Sequence, residues 1–513
     1  MGTACWGFPM RSRSMLSGFS RLLAAATAIS LTAGAIEADT LRLFPVAVRG
    51  RLAFPGASFL LFGDIDIDSL GRVLYTASLT TGRNVIVRED RGTQTPLIFS
   101  LDPAPGPSLD FMGVFVEVSG NASDEVAFIG TTLFREGLHL FLLRDGELTI
   151  IASTGDAAPA PADALFIGFD QVHMLDDGTV YFSAGITGPE GNRRGIYRHA
   201  GGTTHPAIVP GRRYFGVREI HETLQFDVNE RGSLAVLARI TDAELPLAAE
   251  DLVSEMVLES DGVLQTLAAA EFTLAGGIES VRNFAITFDQ VHVNDADGTS
   301  FYASTTEHLQ GGVFFNPTGG FLDNARAVAH GDSAPTVTGD RFKEFGPFDR
   351  NAHEVLVFTA TTDALPRGGF FLQAGGAIET IGLIGEERPG GIGLWTGFLM
   401  AEINERDEFV VTDRDGLFQT GVFRGRLVPD VPGLLDELRD LANQPGADAT
   451  IRSALRRRAL ALLAASRRND GTVIATHATR FRDWLGTQEH RLDPAFAIRL
   501  YVLLDDLAWL TAD

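Results

Sequence analysis

The sequence predicts a mainly β protein: a seven-bladed β-propeller closed by a strand from its N-terminus and followed by a small α-helical bundle. Three observations carry this. A unit of about 54 residues recurs seven times, a period that belongs to propeller blades built of short strands. Within each unit a turn leads into an alternating strand, anchored at Asp68, Asn121, Leu175, Asn229, Asp295, Asn351 and Asn404, with spacings of 53, 54, 54, 66, 56 and 53 residues. The seventh unit lacks its fourth strand, and an unpaired copy of such a strand stands at the other end of the chain.

The elements follow in order. Residues 1–38 read as an export signal: Arg11, Arg13 and Arg21 precede the apolar stretch Leu22 to Thr32, with small residues at Ala33-Gly34-Ala35 and Ala38. That stretch is too short for a membrane span, and no later run reaches the required length. The propeller is expected over 39–427, and residues 41–49 are its closing strand. Each unit begins with strand A, which holds a phenylalanine anchor such as Phe62, Phe115 or Phe169. The turn Asn/Asp-x-x-Gly follows, because Asn and Asp bond their own backbone and Gly takes positive φ freely. Strand B then alternates with period 2, as in Val73, Tyr75 and Ala77. Strands C and D are joined by tight hairpins, with Asp145-Gly146 and Asp261-Gly262 suited to type I′ turns. Pairing residues 41–49 with the strand near 420–426 would leave no free sheet edge, a feature that limits aggregation. Residues 428–433 read as a linker. In 434–513 the apolar period becomes helical, as in Ile474, Ala478, Phe481, Leu485 and in Phe496, Leu500, Leu503, Leu507. Four helices are expected, near 434–443, 449–468, 473–486 and 494–510.

Charge narrows the partners. The chain carries a formal −24, and the acidity falls on the propeller because the C-terminal region is near neutral. Such a surface repels nucleic acid and anionic lipid; it suits cations, basic proteins or simple solubility outside the cytosol. The one cysteine, Cys5, precedes the apolar stretch, which removes disulfides, thiolate metal sites and cysteine nucleophiles from the exported protein.

The motifs of serine hydrolases, zinc proteases and nucleotide-binding loops are absent. Three groups of residues remain as candidates. Phe169-Asp170-Gln171-Val172-His173 recurs as Phe288-Asp289-Gln290-Val291-His292, both on inner strands. Alternation puts Phe, Gln and His on one face and Asp and Val on the other. His173, His292, Asp170 and Asp289 are therefore candidates for acid–base chemistry around the channel; duplication of a blade would also produce the repeat. Asp64, Asp66 and Asp68 share a strand face and form a candidate ladder for a divalent cation, without the rest of an EF-hand loop. The loops joining strand D to the next strand A carry Asp102, Asp156, Asp332, Glu386 and Glu387, a candidate partner face that local turn chemistry also explains. No other cofactor is expected.

The repeats resemble a family of secreted bacterial propellers of unknown function whose units read Phe-x-x-Phe…Leu-Asn-x-x-Gly-x-Val-x-Phe-x-Ala. The resemblance covers about 43–425 and is plain in Leu175-Asp176-Asp177-Gly178-Thr179-Val180-Tyr181-Phe182-Ser183-Ala184. It implies export and a propeller and transfers no catalytic residue. The expected function is that of a non-enzymatic binding or scaffold protein, secreted or periplasmic, with a protein or glycan partner. The alternative is a propeller hydrolase or lyase acting on carbohydrate-like substrates at the central channel.

Overall fold

The computed structural model describes residues 40–90, 93–106, 110–189, 191–214, 218–242, 253–270, 281–284, 291–305, 311–317, 324–364, 368–388, 393–415, 418–428, 438, 449–466, 471–486 and 504. They form a seven-bladed β-propeller, Leu41–Arg426, and a separate compact unit that holds the C-terminal helices. The inner strands, A, are Ala57–Ile67, Met112–Gly120, Leu165–Met174, Arg218–Val228, Val291–Val293 (with Val281–Phe284), Phe342–Arg350 and Phe398–Ile403. Each pairs antiparallel with its strand B, and strands C and D follow outward. Blade 7 contributes Phe398–Ile403, Glu408–Asp415 and Phe418–Val428, and Thr40–Val48 pairs with the last of these.

The B strands are buried on both faces because every blade is packed between two others. Val73, Tyr75 and Ala77 cluster with Val410 and Val422 of blade 7, whereas Leu74 joins Met112, Phe115 and Phe128 of blade 2. The Phe-x-x-Phe anchors build a repeated aromatic core. Phe59 and Phe62 lie 5.2 Å apart and both meet Tyr75 edge-on; Phe166, Phe169 and Phe182 repeat the arrangement. Such contacts add about 0.5–1.5 kcal/mol per pair beyond burial.

The turn between strands A and B shows why Asn leads it. The Asn121 Oδ1 accepts the N–H groups of Ser123 and Glu125, each at 3.0 Å. The fourth residue takes positive φ: Gly71, Gly178 and Gly232, but Asp124, Glu354 and Asp407 in other blades. The Asn amide then donates across the seam. Asn229 reaches the carbonyl of Asn294 at 2.8 Å, Asn351 reaches Asn404 at 3.0 Å, and Asn404 reaches Asp68 at 3.0 Å. Blade 1 has Asp68, which lacks that donor; Arg72, held by Asp68, reaches the Asn121 carbonyl at 2.6 Å instead.

In blade 5 the turn starts one residue earlier than the sequence spacing suggests. Asn294, not Asp295, accepts the N–H groups of Ala296 and Gly298, and Asp297 takes the positive φ of 63°. Thr299, Phe301 and Ala303 consequently stand where Val73, Tyr75 and Ala77 do in blade 1, whereas counting from Asp295 would have put Ser300, Tyr302 and Ser304 there. The side chain that can satisfy the turn sets the register, and Asn and Asp stand side by side there.

In the C-terminal unit, α1 (Ala449–Ser466) and α2 (Gly471–Gly486) each bury an apolar stripe: Leu455, Ala459 and Leu462 on one, Ile474, Ala478, Phe481 and Leu485 on the other. The Arg458 guanidinium lies 4.0 Å over the Trp484 ring. The helices expected near 434–443 and 494–510 lie outside the described residues, apart from the buried Leu438 and Leu504. Among the described residues no helix is long and apolar enough to cross a membrane.

Candidate functional site

All seven A strands line a central channel enclosing about 480 Å³. Its polar groups stand in tiers, because equivalent positions of each strand reach the same depth. Counting back from the turn residue, the second position is Asp66, Ser119, His173, Asp227, His292, Asp349 and Glu402 in blades 1 to 7, all of them in the channel wall. Four members clamp the following blade by accepting a backbone N–H. These are Gly120 N–H to Asp66 Oδ2 at 2.7 Å, Met174 N–H to Ser119 Oγ at 3.0 Å, Val293 N–H to Asp227 Oδ2 at 2.8 Å and Ile403 N–H to Asp349 Oδ2 at 2.9 Å. Two positions earlier the pattern repeats, with Val118 N–H to Asp64 Oδ2 at 2.8 Å and Phe226 N–H to Gln171 Oε1 at 3.3 Å.

The two histidines interrupt this tier in the same way. The His173 Nδ1 lies 3.5 Å from Asp227 Oδ1, and its ring meets Phe226 edge-on at 5.0 Å. The His292 Nδ1 lies 3.2 Å from Asp349 Oδ1, and its ring meets Phe348 edge-on at 5.2 Å. Each imidazole thus faces a Phe-Asp pair on the next blade. Asp227 also joins the two, since its Oδ2 is 3.8 Å from His292 Nδ1. His173, Asp227, His292 and Asp349 form one alternating line across blades 3 to 6.

Burial sets the protonation landscape. It pushes the Asp66 carboxyl up to about 6, against the Gly120 N–H and the nearby His173. It also raises Asp349, opposed by His292 and reinforced by Asp227. At one mouth, Asp176, Glu230, Asp295 and Glu405 form a further chain in which backbone N–H groups meet carboxylates at 2.8–3.0 Å. There, burial together with Asp176 and Asp295 carries Glu230 up to about 7, and burial also raises Glu405.

These positions correct several expectations. Strict alternation fails because the A strands carry bulges; in blade 3 the register shifts between Phe169 and Val172. Phe169 and Val172 therefore enter the core, whereas Gln171 and His173 line the channel. Asp170 is outside the channel lining and exposed, its Oδ2 2.9 Å from Arg194 Nε; Asp289 lies outside the described residues. The carboxylates that meet the histidines are Asp227 and Asp349, which alternation did not single out. Their sequence signal is Phe-Asp two positions before the turn asparagine, at Phe226-Asp227 and Phe348-Asp349.

Asp64, Asp66 and Asp68 all line the channel, but each is engaged. Asp64 and Asp66 hold blade 2, and Asp68 accepts from Leu70 N–H, Arg72 N–H and the Arg72 guanidinium. Among the described residues no group of three or more His, Cys, Asp or Glu side chains is arranged to hold a metal ion. In the loops from D to A, Asp102, Asp156, Asp332 and Glu386 accept the backbone N–H three residues back, from Phe99, Ser153, Ala329 and Leu383. Glu387 forms a bridge with Leu394. Asp102, Asp156, Asp332 and Glu386 thus build turns that the sequence also allowed. Asp340, which the sequence left unmarked, is buried and held to about 2 by Thr336 and Thr362 hydroxyls and the Ala364 and Arg341 N–H groups, which outweigh its burial.

Fold and site together define a seven-bladed propeller with a polar, histidine-bearing channel. The model of DUF7453, a family of unknown function, matches residues 32–192 and 67–421, and the chain belongs to that family. No curated protein matches it. Among solved structures it is similar to a gluconolactonase from Xanthomonas campestris, at 9% identity over 75% of this chain and 90% of that one, with a TM-score of 0.33. It is also similar to an α-L-arabinofuranosidase of Fusarium graminearum (9% identity, 75% and 98% covered, TM-score 0.33). A third is a PQQ-bound aldose sugar dehydrogenase from Streptomyces coelicolor (11% identity, 76% and 99% covered, TM-score 0.31).

Proposed function

We propose that the central channel is the working site of this protein and that it performs acid–base chemistry, hydrolysis or elimination, on a small neutral or cationic polyhydroxylated compound. The observation that carries this reading is the contact of His173 with Asp227, two residues from different blades. Asp227 is itself fixed by the N–H groups of Val228 and Val293, each at 2.8 Å. A carboxylate at Nδ1 selects the tautomer that leaves Nε2 as the basic nitrogen and stabilises the imidazolium formed when Nε2 takes a proton. Asp66, near His173, is the candidate proton donor, because burial keeps part of it protonated near neutral pH. The lining is rich in carboxylates, including Asp64, Glu117, Asp227, Asp349 and Glu402, which repel anionic substrates and accept hydrogen bonds from hydroxyl groups.

The test is turnover of a panel of neutral glycosides and lactones by the wild type and by His173→Gln and Asp227→Asn, with Asp170→Asn as the control. The two channel substitutions are expected to lower kcat by about 10²–10⁴-fold and the control to leave it unchanged. Loss of activity in the control with retention in the channel variants overturns the assignment.

A binding or scaffold role without catalysis is the second reading. It is favoured by the number of channel side chains already committed to clamping the next blade. Binding of a panel compound with no conversion, weakened by the same substitutions, is its signature. Export to the periplasm or beyond, with residues 1–38 removed, is part of both readings. So are ring closure by the Thr40–Val48 strand and a helical bundle completed by residues flanking α1 and α2.

A further inference from the structure

We propose that His292 and Asp349 are wired to His173 through Asp227, so that the four side chains bind protons as one unit and His292 sets the basicity of His173. The inference rests on the reading of the channel as the working site and concerns how that site is regulated.

Asp227 is the shared member. Its Oδ1 accepts the Val228 N–H at 2.8 Å and faces His173 Nδ1 at 3.5 Å. Its Oδ2 accepts the Val293 N–H at 2.8 Å and faces His292 Nδ1 at 3.8 Å. Both imidazoles therefore address one carboxylate, and the backbone of two blades holds that carboxylate still. Asp349 stands at 3.2 Å from the same His292 nitrogen and is itself anchored by the Ile403 and Arg350 N–H groups.

A charge on one imidazole draws Asp227 toward it and opposes a charge on the other. Groups coupled in this way lose their protons in steps that belong to the set. The other charged groups that line the channel with these four are nearly all carboxylates: Asp64, Asp66, Glu117 and Glu402, with Asp68, Glu230, Asp295 and Glu405 toward the turns. Asp66 of blade 1 interacts with His173, and Glu402 stands between Asp349 and Asp66 in the same tier. Asp64 and Glu117 lie one tier away, and the Arg350 guanidinium is held 3.8 Å over the Phe315 ring. The turn residues of the adjoining tier in blades 4 and 5, Asn229 and Asn294, are neutral.

The arrangement gives a signed prediction. Replacing His292 removes a competing positive charge and leaves Asp227 to His173 alone. Both effects favour the His173 imidazolium, so its titration midpoint must rise.

The experiment is an NMR titration of the histidine Hε1 and Cε1 resonances of the protein, which has 11 histidines. His173→Asn supplies the assignment. His292→Asn is expected to raise the His173 midpoint by about half a pH unit or more, and Asp227→Asn to lower it. In the Asp227→Asn background, His292→Asn is expected to have less than about half that effect. A His173 midpoint unchanged in His292→Asn to within about 0.1 of a pH unit overturns the linkage. So does a shift that persists in full without Asp227. Far-UV circular dichroism checks the fold, and His292→Gln serves as a second variant. No substrate is used, so failure here leaves the turnover test standing, and failure there leaves this linkage standing.

Discussion

At the scale of the residue, a channel carboxylate in this protein works twice: it holds the next blade and it sets the charge of the cavity. Asp66 shows the tension. It accepts the Gly120 N–H across the seam, yet burial lifts its carboxyl to about 6. A carboxyl whose folded pKa lies above its unfolded value binds its proton more tightly in the folded state. Ionising it therefore removes stability as pH rises from about 4 through about 6. Asp66→Asn keeps an acceptor for the Gly120 N–H and removes the charge. It is expected to be more stable than the wild type by about 1–2 kcal/mol at pH 8, with the advantage gone near pH 4, as read by urea unfolding at both pH values. An advantage of equal size at both pH values would show that the gain does not come from the buried charge. The sequence showed which residues could titrate, among them His173 and His292. It did not show their partners, because a blade's partner lies on the next unit, 54 residues away for His173 and Asp227 and 57 for His292 and Asp349. Reading the units in register, column by column, would have set Asp227 beside His173; with Asp295 as the blade 5 anchor the same column reads Val293, so the pairing of His292 with Asp349 stayed hidden.

At the scale of the element, the strands were legible and their faces were not. Phe-x-x-Phe anchors in blades 1, 3 and 6 and turn asparagines in blades 2, 4, 6 and 7 marked the A strands, since core aromatics and turn-forming amides recur with the blade. The bulges between anchor and turn have no sequence mark of their own. They moved Val172 into the core and left Asp170 outside the channel wall. In blade 5, adjacent Asn294 and Asp295 both suit the turn, and only the bonds to Ala296 and Gly298 decide between them. The Thr40–Val48 strand carries a test of its own. It pairs with Phe418–Val428, and the Arg49 N–H reaches the Thr420 carbonyl at 2.9 Å. Closing so long a loop costs entropy that grows only logarithmically with length, and pairing covers an exposed edge. Deleting residues 40–49 is expected to lower the melting temperature and to promote oligomers, seen by calorimetry and light scattering. A variant that stays monomeric with an unchanged melting temperature contradicts closure by this strand.

At the scale of the whole molecule, seven copies of one unit produce seven copies of each channel position, and the copies that differ mark the candidate site. Most of the tier holding Asp66, Ser119, Asp227 and Asp349 clamps the ring, while His173 and His292 bring imidazoles into the same channel wall. The repeat made the architecture readable from the sequence, and the same regularity hid the site within it. The most direct test is to add compounds from the glycoside and lactone panel to the protein and follow its histidine side-chain resonances. The channel reading predicts that a bound compound moves the signals of His173 and His292 and leaves those of His199 and His205, on the outer strands of blade 3, in place. Movement of the outer histidines with the channel pair unaffected would contradict it.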